Sequence, residues 1–455
     1  MLGQFRSVEI QASDVARMSE AKSGTARETG TLSKCAETRF ATTPDIASLI
    51  RATGGGCGVE ETRPEIAGNA PLAGIVVVEI AHSVAAPSAG QILGDLGATV
   101  IKVENPKAGD DARNWGPPYW HGAGFIFQTI NRNKLSAAID LKDEAQRATL
   151  RRFLLEKADV VLQNMRPGLV AKLGLGAALR QENPRLIYCN VWAYGAKGPL
   201  ADRPGYDALM QAMGGIMSVT GEDGRPPVRV GPSIIDIGTG MWAAIGILAA
   251  LYRRSLTGEG CTIDASLYET ALAWLNMSVA SYLASGKVPG RRGSEATGLV
   301  PYKLFKASDG YVMIAAGNDN LFRRLAEACG HPEWPDDPRF ASNPERVKNR
   351  ELVHGAVQEV VASRPAAYWL AILDKADVPC APMLTVDQAL DHPQTKALEI
   401  LQPTPDGKMS LVGLPLSFDG ARPPLRRSPP ALGANTDAIM GDLFEWADAK
   451  RGAAE

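Results

Sequence analysis

Asp236 stands where a carboxylate can do chemistry. It closes the run Val230-Gly231-Pro232-Ser233-Ile234-Ile235-Asp236, is followed by Ile237-Gly238-Thr239-Gly240, and precedes an apolar helix expected from Met241 to Tyr252. A carboxylate at the mouth of a helix is stabilised as an anion by the helix dipole and by free N–H groups. Small residues at 238–240 leave room for a ligand's backbone or carbonyl beside it. Two readings of the residue stand open: a helix N-cap, for which Asp is among the preferred residues, and a carboxylate facing a ligand.

The elements that must position it follow from periodicity. Residues 75–80 read as a buried strand, small residues and a helix from Ala89 to Leu96 follow, and 99–104 is the next strand. That spacing implies a parallel βαβ unit. A helix over 141–157 and strands at 159–162 and 185–191 repeat the theme, so the expected fold is α/β with helices covering a parallel sheet. From Thr297 to Gly317 two strands meet at Asp309-Gly310, a strong hairpin signal. Helices follow to residue 376, which places a smaller α+β domain at 295–385. The tail, 386–455, carries Arg422-Pro423-Pro424 and Pro429-Pro430 and reads as a surface crossover. Residues 1–69 are rich in Ser, Thr, Ala, Gly and charge, and are expected to be a disordered or non-native N-terminal extension. Glu9, Asp14, Glu20 and Glu28 and the lack of an apolar stretch after a basic start argue against a targeting signal there.

Composition narrows the partners. The chain has 455 residues, 45% hydrophobic and 22% charged, with a formal net charge of −2. That balance disfavours nucleic acid and anionic membranes, and an anionic ligand would need a local basic site. The cysteines at 35, 57, 189, 261, 329 and 380 are dispersed, without metal-ligand spacing. They fit reduced thiols in a cytoplasmic protein, with no metal expected. No apolar run reaches the roughly 18 residues of a membrane helix, and the helix expected at 241–252 ends in Arg253-Arg254.

Asp236 sits within an ordered series of motifs. Upstream are Asn131-Arg132-Asn133-Lys134, Ile139-Asp140-Leu141-Lys142, Asp159-Val160-Val161-Leu162-Gln163-Asn164-Met165-Arg166-Pro167-Gly168, Pro204-Gly205-Tyr206-Asp207 and Gln211-Ala212-Met213-Gly214-Gly215. Downstream is Thr257-Gly258-Glu259-Gly260-Cys261-Thr262-Ile263-Asp264-Ala265-Ser266-Leu267. In this order they resemble the class III CoA-transferases, the superfamily of formyl-CoA transferase, carnitine CoA-transferase and α-methylacyl-CoA racemase, over roughly Pro71 to Gly441. The resemblance implies a Rossmann-like large domain, 70–294, that binds CoA and carries the catalytic residue. It also implies a tail that returns to that domain and two chains interlocked as a ring-like homodimer. CoA and acyl-CoA are implied as substrates, with no tightly bound cofactor.

Moving CoA between acids without ATP requires that the thioester's energy be retained on the enzyme, and a carboxylate nucleophile achieves this. Asp236 matches the family's nucleophile, and N–H groups at 237–240 are candidate oxyanion donors. In the racemase branch a His precedes the acid that here is Asp207. Tyr206 occupies that place, and a tyrosine is a poor general base at neutral pH. Transferase is therefore favoured over racemase, with a silent acyl-CoA-binding protein as a third reading. By resemblance Ser83, Val84 and Ala85 lie near the thiol end of CoA. Ile139, Lys142, Asn164, Met165, Arg166, Lys172 and Tyr206 lie along the rest of the molecule. Asn105 stands where relatives often carry Arg. For each cation the alternative is a solvated surface charge. Residues 109–118 and 298–302 look most like the succinate–hydroxymethylglutarate branch, so a dicarboxylate acceptor is expected. Arg113, Arg229 and Gly238 are its candidate contacts, although Arg113 could instead pair with Asp110 or Asp111. Residues 286–298 are the candidate mobile segment over the site.

Overall fold

The computed structural model of the protein describes residues 70–441; the extension at 1–69 and residues 442–455 lie outside the described residues. Strands β1 (Val76–Ile80), β2 (Thr99–Glu104), β3 (Lys134–Ala138), β4 (Val160–Gln163), β5 (Ile187–Trp192) and β6 (Thr262–Ser266) form one sheet. Their spatial order is β3-β2-β1-β4-β5-β6, and every pairing is parallel. This is the order of doubly wound nucleotide-binding sheets. The direction of winding reverses between β1 and β4, which opens a crevice at their carboxyl ends.

Both faces of the sheet are covered, which is why its strands are apolar on both sides. Val77, Leu162, Ile187 and Cys189 face helices α1 (Ala85–Asp95) and α4 (Ile234–Thr257). Val78, Ile80, Val161 and Tyr188 face α2 (Glu144–Glu156), which contributes Leu150, Phe153 and Leu154. Helix α3 (Asp207–Met213) adds Met210 to the first core. α5 (Leu267–Trp274) adds Ala271, and α6 (Asn276–Ser285) follows it directly.

Helix α4 is longer than expected. It has 24 residues, begins seven positions before Met241, and includes Asp236 in its first turn. Pro232 permits this early start because Ser233 takes the N-cap position; Gly258, at φ 77, ends the helix. By length and a mean hydropathy of 1.8 it would pass for a membrane span, against the sequence expectation, yet 44% of that stretch is buried inside the protein. α1 also starts earlier than expected, at Ala85, because Pro87 falls within its first turn, where no intrahelical N–H is needed.

Strands β7 (Tyr302–Lys306) and β8 (Tyr311–Ala315) pair antiparallel across Asp309-Gly310, and β9 (Cys380–Pro382) joins β8. Phe305, Val312 and Ile314 pack there with α7 (Asp319–Ala328), α8 (Arg350–Val361) and α9 (Ala366–Lys375) in a separate core. The tail then runs back along β3: Arg427 O accepts from Asn133 N, Asn435 Oδ1 from Ser136 N and Thr436 Oγ1 from Ala138 N.

Candidate active site

Strands β1, β2 and β3 carry buried charge at Glu79, at Lys102 and Glu104, and at Lys134. Lys102 Nζ lies 2.9 Å from Glu79 Oε1 and 2.7 Å from Asp110 Oδ2, and Lys134 Nζ lies 2.8 Å from Glu79 Oε2, all with side chains shut from solvent. Burial alone would push Lys102 down, but Glu79, Asp110 and Glu104 outweigh it and hold the ammonium above its ordinary range. Lys134, with less compensation, is pushed by burial to about 8. Charges this deep persist only when paired. Their purpose shows one bond further on. Asp110 Oδ1 accepts from Ser83 N at 3.0 Å and holds Ser83 at φ 69, a left-handed conformation that a serine does not adopt cheaply.

Asn164, after β4, fastens the same loop from the other side. Its Oδ1 accepts from His82 N at 3.0 Å and its Nδ2 donates to His82 O at 2.8 Å. A polar ladder continues across the sheet: Gln163 Nε2 donates to Asn190, and Asn190 Nδ2 and Trp192 Nε1 both donate to Asp264 Oδ1. Gln163 Oε1 also accepts from Met165 N and so sets the loop of Met165 and Arg166.

Two adjoining grooves result. The first, of about 330 Å³, is lined by Ser83, Ala85, Asn164, Met165, Arg166, Tyr206 and Asp236, among others. The second, of about 280 Å³, is lined by Asn105, Ile139, Lys142 and Leu169. His82, Asp111 and Met165 border both. Ten of the candidate residues named from sequence thus gather around one crevice. Lys172 and Arg229 are exposed and line neither groove, and Val84 is buried as the N-cap residue of α1.

Asp236 is half-buried, and its carboxylate makes no hydrogen bond or ion pair among the described residues. Burial, aided by the charge of Asp207, raises it from the ordinary 3.8 to about 7. The N-cap reading fails, because the donors at the start of α4 are taken by another residue. Asp207 Oδ2 accepts from Ile235 N at 2.8 Å and from Asp236 N at 3.3 Å.

The expectation for residues 237–240 also needs correcting. Ile237 N donates to Ser233 O, and 238–240 continue the helix, so their N–H groups are not free for an oxyanion. A Cβ on Gly238 would stand 2.7 Å from the Trp274 ring, so its space is filled by packing rather than by ligand. The free donors are elsewhere: among the described residues nothing accepts from the first-turn N–H groups of Ala85 and Ala86 in α1.

Arg113 is committed within the chain. Its guanidinium forks onto Glu104 at 2.8 and 2.7 Å, donates to Pro430 O and stacks 3.8 Å over the Phe127 ring. The partner is neither Asp110 nor Asp111, because Asp110 is held by Lys102. Segment 286–298 is pinned rather than loose. Arg291 donates to Glu222 O and Arg225 O, Arg350 to Ala296 O and Thr297 O, and Lys303 reaches Glu295 at 2.9 Å. It lines a different cavity, away from Asp236.

Comparison with known proteins bears on what this crevice does. The sequence pattern of CoA-transferase family III matches residues 72–436. The chain belongs to that family. It is an enzyme, a CoA-transferase of class III. It is 39% identical to an acetyl-CoA:oxalate CoA-transferase of Acetobacter aceti, over 78% of this chain and 91% of that protein. It is 34% identical to the human succinyl-CoA:glutarate CoA-transferase, over 88% and 92%. The crystal structure of a CAIB/BAIF family protein from Brucella suis superimposes with a TM-score of 0.74 at 40% identity, covering 82% of this chain and all of that one.

Within this CoA-transferase, sequence reasoning gave no role to two residues of the groove, Arg203 and His82, or to Asp207, which is buried and lines neither groove. Asp207 was visible in Gly205-Tyr206-Asp207 but has no local signal for reaching across to α4. Arg203 lies one turn of loop away, and no ion pair occupies it among the described residues. His82 borders both grooves and contacts Ser83 Oγ at 2.9 Å. Among the described residues no cluster of His, Cys, Asp and Glu stands ready to hold a metal.

Proposed function

We propose that the enzyme moves CoA from an acyl-CoA donor such as succinyl-CoA to a dicarboxylic acid through covalent intermediates on Asp236. The observation that carries this reading is a single unpartnered, half-buried carboxylate in a groove that adjoins a second groove at the sheet's switch point. The second groove, beside Asn105, Ile139 and Lys142, suits the nucleotide end of CoA. The shared border at His82 and Met165 suits the pantetheine arm, and the first groove the acyl group.

An Asp236 oxygen attacks the thioester carbonyl, and the C–S bond breaks to give a mixed anhydride and CoA thiolate. The thiolate then attacks the aspartyl carbonyl; the anhydride C–O bond breaks, the donor acid leaves as a carboxylate, and an aspartyl-CoA thioester remains. The acceptor acid runs the two steps in reverse. The free N–H of Ala85, which lines the groove, supplies a donor for the oxyanions, in a position the N-terminus of α1 favours. Relatives named for glutarate, oxalate and D-citramalate support a dicarboxylate acceptor, with Arg203 and Arg166 as cations in the groove.

We also place two chains together as a homodimer, across the exposed apolar side of α4, α5 and α6. Cys189, Cys261, Cys329 and Cys380 are all free, in keeping with a reducing compartment such as the cytoplasm. A racemase reading retains one argument, the presence of His82 in the groove. Exchange of the α-proton of an acyl-CoA in deuterated water distinguishes it.

The decisive experiment is Asp236→Ala. Transfer from succinyl-CoA to glutarate should be lost while CoA still binds, and hydroxylamine trapping of the wild-type intermediate should modify Asp236 alone. Substantial transfer by the variant would overturn the assignment.

A further inference from the structure

We propose that Asp207 is a positioning residue: it takes up the donors at the N-terminus of α4 and fixes its own buried charge beside Asp236, and the two together keep Asp236 a basic, reactive carboxylate. The inference rests on Asp236 being the nucleophile. A carboxylate in the first turn of a helix ordinarily gains from the orphan N–H groups and the positive end of the dipole, and becomes a weaker base. Here those donors are spent. Ile234 N bonds Pro232 O, Ile235 N and Asp236 N donate to Asp207 Oδ2, and Ile237 N donates to Ser233 O. No side chain of α4 itself performs this capping.

The cap comes from α3, and its geometry is fixed. Asp207 is 6% exposed, and its second oxygen accepts from Gln211 Nε2 at 2.6 Å. Gln211, fully buried, in turn accepts from Val230 N, at the start of the segment leading into α4. Asp207 and Gln211 therefore hold that segment at both of its ends. The arrangement has two consequences. It sets the rotation of the first turn, and so the direction in which Asp236 enters the groove. It also puts a buried negative charge beside the nucleophile, which shares the raised affinity of Asp236 for a proton with burial. The other ionisable groups around the groove are His82, Asp111, Arg166, Arg203 and Tyr206; none of them bonds the Asp236 carboxylate.

Asp207→Asn tests the part played by the charge: it keeps an oxygen for Ile235 N and Asp236 N, at the cost of setting its amide N–H against the Gln211 Nε2 that Asp207 Oδ1 accepts from. The expected result is a downward shift of the acidic limb of kcat/KM against pH by about one unit or more. The plateau rate should fall by about tenfold as the carboxylate becomes a weaker nucleophile, while KM for succinyl-CoA holds. An unchanged limb with a folded variant would overturn the inference. If Asp207→Asn does not fold, Asp207→Ser, whose hydroxyl can still cap, carries the same expectation. A carboxyl ¹³C titration of Asp236 in the wild-type enzyme gives an independent reading: a midpoint near 4 rather than near 7 would also overturn it. Loss of activity in Asp236→Ala combined with an unmoved Asp207→Asn profile refutes only the role of Asp207. Activity surviving in Asp236→Ala refutes the nucleophile itself.

Discussion

At the scale of the residue, the carboxylate proposed as nucleophile is an expense to the fold. Asp236 holds its proton to about pH 7 in the folded chain, against an ordinary value of 3.8. Below about pH 4 both states are protonated and the group is neutral in the balance. Between about 4 and 7 the unfolded chain releases its proton first, so stability falls with rising pH and then levels off. Asp236→Asn removes that penalty. The variant should be more stable than wild type at pH 8, by up to about 4 kcal/mol, and no more stable at pH 4. Thermal melts of both proteins across that range check this, and a gap that does not change with pH counts against it. Wild-type activity should rise with pH in the same window, as the nucleophile ionises. Lys102 and Asp110 act differently: the buried Lys102 holds Asp110, and Asp110 fixes the backbone of Ser83.

At the scale of the element, the site depends on how closely α1 and α4 approach. A Cβ on Gly240 would stand 2.7 Å from Ala85 O and 2.8 Å from Ser88 Cβ, and these are backbone and short side-chain atoms that cannot swing away. Gly240→Ala should therefore push α1 off α4, destabilise by about 1–3 kcal/mol, and lower kcat by displacing the free donor of Ala85 in the groove. Gly290→Ala, with nothing within 4 Å of the added carbon, is the control. Denaturant unfolding with steady-state kinetics reads both effects; a kcat at the wild-type level would detach the α1 N-terminus from catalysis. Legibility in the sequence followed the same division. Strands β1, β2, β4 and β5 were plain because burial on both faces makes them near-continuous apolar runs. The edge strands β3, Lys-Leu-Ser-Ala-Ala, and β6, Thr-Ile-Asp-Ala-Ser, were not, since half their side chains are polar and serve the site or its supports. Asn164, Met165 and Tyr206 could be assigned to the crevice from motif order, whereas the hold of Asp207 on α4 spans 28 residues and leaves no periodic trace.

At the scale of the whole molecule, α4 explains a feature that looks contradictory. Its apolar length would suit a membrane, yet Ala243, Ala244, Ile247 and Ala250 belong to the core. Four others of its apolar residues, Ile237, Met241, Trp242 and Ile245, are exposed, and the surface continues on α5 and α6 with Leu272, Trp274, Met277 and Leu283. Met277 is 84% and Leu283 76% exposed, which is unusual for side chains of this kind concentrated on one side of a protein. Contiguous apolar surface beyond a few hundred Å² marks an interface. A lipid surface fits poorly, because a net charge of −2 gives no general attraction to anionic headgroups. A second copy fits, since a twofold axis buries the same patch on both chains at once. Light scattering on the full chain should give twice the chain mass, at concentrations where the enzyme is active. Met277→Asp with Leu283→Asp should shift it toward the single-chain mass and lower thermal stability, because assembly and folding free energy are then shared. A wild-type enzyme that is active as a single chain, or a doubly charged variant that remains a dimer of unchanged stability, would show that this apolar side serves something other than a second copy.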